Sequence, residues 1–208
     1  MKLFLSSVAI SDLQAVELAK LVGKAAKDIT LALVENAADT YAEGSRAWVA
    51  QNRAAIQSHG FNVEIIDIRQ YKGRLAELKT KLASKDVLWF GGGNTYYLRW
   101  LLKDIGLDKL LQELVEAGIV YGGASAGAIV AGPTLQHFEA ADDPGAAPEL
   151  ITSGLNLTNI VVVPHMDNAK FAAIIHGIHD KLKASGFHTA PLGDAQALVI
   201  DGTTSKII

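Results

Sequence analysis

The chain has 208 residues, half of them apolar and a fifth charged, with a net charge of −3 and no cysteine. That length supports one full-sized domain with a sizeable core, read here as a single domain over residues 1–208. The charge balance offers nothing to nucleic acid, which asks for a clustered basic face. Without cysteine there are no disulfides, no thiolate metal sites and no cysteine nucleophile, which fits a cytoplasmic protein.

Taken in order, Met1 to Ile10 places a lysine before a short apolar run. Ser11-Asp12 and an amphipathic stretch follow, rather than a signal-peptide cleavage site, so this reads as a first core strand over Lys2 to Ser6. No apolar run approaches the length of a membrane span, so no membrane partner is expected. Asp12 to Ala26 has Ala15, Leu18, Leu21, Val22 and Ala25 at helical spacing. Asp28 to Val34 is almost continuously apolar, as suits a parallel strand covered on both faces. Helix is expected over Gly44 to His59, strand over Asn62 to Asp67, helix over Arg74 to Ala83 and strand over Asp86 to Phe90.

Helices Tyr96 to Asp104 and Leu107 to Ala117 come next, then the apolar stretch Ala117 to Tyr121 and the helix-prone Ala128 to Ala131. A loop rich in Asp, Pro, Gly and Ala spans Glu139 to Pro148. Ile160 to Val163 is another buried strand and Ala169 to Ala184 another helix. Ala197 to Ile200 and Ser205 to Ile208 close the chain as a hairpin around Asp201-Gly202. Strand and helix alternate, which argues for an α/β fold with a mainly parallel sheet and right-handed crossovers.

Three stretches carry chemistry. Gly123-Ala-Ser-Ala-Gly127 frames a serine with small residues between a buried strand and a helix, the pattern of a nucleophile elbow. Such a turn presents Ser125 at the carboxyl edge of the sheet, beside the Ala126 amide and a helix N-terminus that favours negative charge. Gly91-Gly-Gly-Asn-Thr95 ends the fourth strand, where ligands of open α/β sheets bind, and its amides can turn inward as an oxyanion hole. It has neither the GxGxxG spacing nor the lysine of a phosphate loop, so a nucleotide-binding reading ranks last. Pro164-His165 follows the strand 160–163 and makes His165 the best partner for Ser125. His176 and His179 stand three apart on a helix with no third ligand at metal-binding spacing, and read as surface residues. An acid to orient His165 has four candidates by position: Glu139, Asp142, Asp143 and Asp167.

These motifs together, with Ala131-Gly-Pro-Thr134 after the elbow, resemble the peptidase E family, serine peptidases related to aspartyl dipeptidase and more distantly to cyanophycinase. The resemblance implies a class I glutamine amidotransferase-like, flavodoxin-like three-layer sandwich. It implies Ser125 as nucleophile, His165 as general base and acid, Gly92 and Ala126 as oxyanion donors, and Gly91, Gly93, Asn94 and Thr95 as further residues around a small peptide substrate. It implies no metal and no organic cofactor, and either a monomer or a homodimer.

In the aspartyl dipeptidases the triad aspartate falls about where this chain has Ala140, so the neighbouring Glu139 is the expected acid, with Asp142 second. Members that prefer an N-terminal aspartate carry basic residues after the Pro-His motif. Here Met166-Asp-Asn-Ala-Lys170 supplies one lysine, which leaves Lys170 or Arg99 to read an aspartyl side chain. Two rival readings are a serine esterase, and a binding or regulatory protein that kept the scaffold without catalysis. In the α/β-hydrolase order the histidine normally comes much later than forty residues after the serine.

Overall fold

The computed structural model describes all residues, 1–208. Its main sheet has seven strands in the order β3-β2-β4-β5-β1-β8-β9. The five parallel strands are β1 (Lys2–Ser6), β2 (Thr30–Val34), β3 (Asn62–Ile65), β4 (Val87–Phe90) and β5 (Val120–Ala124). The antiparallel hairpin β8 (Ala197–Asp201) and β9 (Thr204–Ile207) extends the sheet beyond β1.

The nearly continuous apolar strands expected from the sequence are covered on both faces. Alternate residues face opposite ways along a strand. Leu3, Leu5, Ala32, Val34, Leu88, Phe90 and Tyr121 accordingly join one core and Phe4, Leu31, Leu33, Val87 and Trp89 the other. The larger core is closed by α3 (Leu75–Ala83), α4 (Thr95–Asp104), α5 (Leu107–Glu116), α6 (Ala126–Ile129) and α7 (Ala172–Ala184). The smaller one is closed by α1 (Asp12–Val22) and α2 (Ala47–Ser58). The result is a three-layer α/β fold.

Local chemistry sets the element ends. Ser11 and Gln14 form a reciprocal capping box at the start of α1, and Gly23, at φ 84°, ends it three residues before the expected Ala26. Asn94 caps α4 by accepting from the Tyr97 amide at 2.8 Å.

Two expectations need correction. The strand before the elbow runs over Val120–Ala124, because Ala117 and Gly118 finish the preceding helix turn. More consequentially, β6 (Ile160–Val163) is outside the main sheet. It pairs in parallel with a strand the apolar pattern did not announce, β7 (His188–Pro191), as a separate two-stranded sheet. Only Ala190 of β7 is buried, and the strand ends in proline, so its sequence lacks the apolar run that marks β6.

Candidate active site

Ser125 follows β5 directly and caps α6 with φ 50° and ψ −111°, a backbone region that costs a non-glycine residue roughly 1–3 kcal/mol. The surrounding structure enforces it. The Ser125 amide donates to the Ser6 carbonyl at 3.1 Å, and α6 packs so tightly on β4 that a Cβ on Gly127 would lie 2.0 Å from the Phe90 carbonyl oxygen. Small residues at the elbow are thus a packing requirement as well as a turn requirement.

His165 also has a left-handed backbone, at φ 67°. Its amide donates to the Ser7 hydroxyl at 2.9 Å, which moors the end of β6 to the end of β1 although the two strands are not paired. Its Nε2 stands 2.9 Å from Ser125 Oγ. Two of the four non-glycine residues with positive φ are therefore this serine and this histidine.

The carboxylate on the other side of the ring is Asp194, whose Oδ1 lies 2.8 Å from His165 Nδ1. It occupies the turn between β7 and β8, and its neighbours fix it there. Asn168 Nδ2 donates to its Oδ2 at 2.6 Å, and its own amide donates to Asp167 Oδ1 at 2.6 Å. The Met166 amide ties the two loops together by donating to the Leu192 carbonyl at 3.0 Å. Of the acids weighed from the sequence, Asp167 thus holds Asp194 in place rather than meeting the imidazole.

Glu139 does not reach His165. Its carboxylate accepts from the Tyr96 hydroxyl at 3.2 Å, and Tyr96 also lies 2.9 Å from the Leu135 carbonyl. Burial, with the Glu139 charge beside it, pushes the Tyr96 phenol up, so it stays protonated and donates. Asp142 is turned to α4, where its Oδ2 accepts from the Thr95 amide at 2.9 Å, and burial raises its carboxyl. Asp143 caps its own turn by accepting from the Gly145 amide at 2.8 Å. Asp194 escaped the sequence reading because nothing marked β7 as a strand. A Gly193-Asp194 step at the carboxyl end of a parallel strand is the one signal that would have pointed to it.

The glycine run lies against the serine. A Cβ on Gly92 would sit 3.4 Å from Ser125 Cβ, and the Gly92 amide has no acceptor within the protein. Ala126 is the first residue of α6, whose amide precedes the first bond of that turn, from Ala128 to the Ser125 carbonyl. Gly91 donates to the Val34 carbonyl at 2.8 Å, and Gly93 adopts φ 143° with Ala37 so close that any side chain would collide. The Asn94 and Thr95 contacts run elsewhere: Asn94 Nδ2 donates to the Asp143 carbonyl at 2.8 Å, and Thr95 Oγ1 is buried with no partner. These residues strap the 139–146 loop to α4. Arg99, one of the two cations considered for an aspartyl side chain, is buried and committed to the Ser153 carbonyl and Asp108.

The geometry is that of a serine activated by a histidine whose far nitrogen is oriented by an acid. Comparison with known proteins agrees. The family model described as "Peptidase family S51" matches residues 4–208. The uncharacterized peptidase Lmo0363 of Listeria monocytogenes is 33% identical over 156 residues, covering 74% of this chain and 75% of that protein. The uncharacterized peptidase PM1590 of Pasteurella multocida is 31% identical over 167 residues, covering 80% and 79%. The crystal structure of "a Putative Peptidase E Protein from Listeria monocytogenes EGD-e" superposes with a TM-score of 0.84 at 28% identity, covering 100% of this chain and 97% of that one. That of a peptidase from an acI-B1 Actinobacterium shares the fold, with a TM-score of 0.72 at 18% identity over 100% and 86% of the chains. No helix is long and apolar enough to cross a membrane. The chain belongs to peptidase family S51, the peptidase E family, and is a serine-type peptidase.

Proposed function

We propose that this peptidase cleaves small peptides through an acyl-enzyme on Ser125, with His165 as general base and then general acid and Asp194 as the orienting acid. The observation that carries the reading is the unbroken Ser125–His165–Asp194 chain, with contacts of 2.9 and 2.8 Å. Ser125 gives its proton to His165 Nε2 as Oγ attacks the scissile carbonyl carbon. The amides of Gly92 and Ala126 take the oxyanion. His165 returns the proton to the departing amine, and water then repeats the cycle on the ester. The acid that replaces Glu139 in this scheme also removes the motive for a scaffold without catalysis, since His165 has its carboxylate. The protein works in the cytoplasm, as its lack of cysteine suggests.

Release of amine from short unblocked peptides, followed with Ser125→Ala as the blank, tests the proposal. A serine-dependent rate at least ~10³-fold above the variant is the expected result. Undiminished turnover by Ser125→Ala would end it.

A further inference from the structure

Ser125 divides the edge of the sheet into two sides. His165, moored to Ser7 after β1, stands on the β1 side of β5, while Gly92, following β4, stands on the other. A leaving amine takes its proton from His165 Nε2, so it departs on the β1 side. The oxyanion takes the Gly92 and Ala126 amides and the leaving amine takes the His165 side, so the residue that stays on Ser125 has the third direction, and an opening bordered by Gly92 lies beside it.

This opening is a small pocket of about 20 Å³, room for little more than one water. Trp48, Val49 and Asn52 of α2 line it, with Gly92, Glu35 at the end of β2, and Arg53. The Trp48 ring forms its wall nearest the serine, since a Cβ on Gly92 would meet Trp48 Cζ3 at 3.8 Å. Tyr41 holds that ring edge-on, with centroids 5.9 Å apart and planes at 83°. The one cation of the pocket is already matched. Arg53 grips Glu35 through two hydrogen bonds, Nε to Oε1 at 3.0 Å and Nη2 to Oε2 at 2.5 Å. A substrate carboxylate entering here would therefore meet an aromatic wall and a neutral ion pair that presents its own carboxylate.

We infer that this pocket receives the side chain of the residue whose carbonyl Ser125 attacks, and that it selects a small uncharged side chain, of alanyl size, over an aspartyl or a leucyl one. The inference rests on the peptidase reading above and names its substrate class. Trp48 limits the size of side chain admitted, and Glu35, by neutralising Arg53, sets the charge preference.

The test uses the full chain with alanyl, leucyl and aspartyl p-nitroanilides, Ser125→Ala as the blank, and a fluorophosphonate probe to report Ser125 reactivity. The alanyl compound should exceed the aspartyl and leucyl ones at least tenfold in kcat/KM. Trp48→Ala, which enlarges the pocket, should raise the leucyl-to-alanyl ratio at least fivefold. Glu35→Gln, which frees the Arg53 charge, should raise the aspartyl-to-leucyl ratio at least fivefold. An aspartyl or leucyl preference in the natural chain overturns the inference, as does indifference of both ratios to Trp48 and Glu35. Silence toward all three compounds with a reactive Ser125 overturns the pocket assignment alone. Silence with an unreactive Ser125 overturns the peptidase mechanism and the pocket together.

Discussion

Asp194 lies 2.8 Å from His165 across a gap of 29 positions, on the turn that leads from β7 of the small sheet into β8 of the main one. Its second oxygen is held by Asn168 at 2.6 Å, so the carboxylate cannot rotate freely away from the ring. Such an acid fixes the tautomer of the imidazole and stabilises its charged form. Asp194→Asn should lower kcat by about 10²–10⁴-fold with little change in KM. Steady-state kinetics on any substrate that shows Ser125-dependent turnover would read this, and a loss below threefold would contradict it.

Asn168→Ala removes the restraint on Asp194 without touching the imidazole. The expected cost is about fivefold in kcat, the equivalent of one ordinary hydrogen bond of about 1 kcal/mol. Combined with Asp194→Asn it should add far less than its single effect, because both act through one ring orientation.

Glu139 serves the fold rather than the histidine. Tyr96→Phe should destabilise the protein by about 1 kcal/mol, because the one hydroxyl proton shared between Glu139 and the Leu135 carbonyl is lost while that carbonyl keeps the Phe138 amide at 3.3 Å. Glu139→Gln should leave kcat within threefold, and kinetics beside a urea titration would separate the two effects. A loss near that of Asp194→Asn would restore Glu139 as the triad acid.

Asp142 carries a pH dependence with a definite sign. Its folded carboxyl is raised by burial, so between its unfolded and folded pKa values the folded state binds more protons, and stability falls as pH rises through that window. Above the window the buried charge is a standing cost. Asp142→Asn keeps an acceptor for the Thr95 amide and should raise Tm at pH 7, with the gap narrowing toward pH 4. Thermal melts at the two values check this, and a Tm difference that grows on acidification would refute it.

Gly127→Ala should fail for a steric reason. The added methyl would sit 2.0 Å from the Phe90 carbonyl oxygen, backbone against backbone, with no flexible side chain to give way. A loss above about 4 kcal/mol is expected, visible as an insoluble product or a collapsed denaturation midpoint.

Much of this molecule was legible in one dimension. Apolar runs such as Leu31–Val34 and Val87–Phe90 declare strands covered on both faces, because burial on both sides erases the alternation of a half-exposed strand. Ser125, the Gly91–Gly93 run and His165 stand out for a related reason. Each lies at the end of an apolar strand, and small residues there answer a local steric demand that the sequence itself records. The acid could not be read that way. Asp194 follows a strand with a single buried residue, and it meets His165 only because β6 and β7 pair outside the main sheet. Glu139 is nearer in sequence, yet the Tyr96 hydroxyl claims it. Backbone periodicity and turn chemistry are local properties that a sequence specifies. Which carboxylate reaches an imidazole is settled by how distant segments pack, and here by one strand pairing that left almost no pattern in the chain.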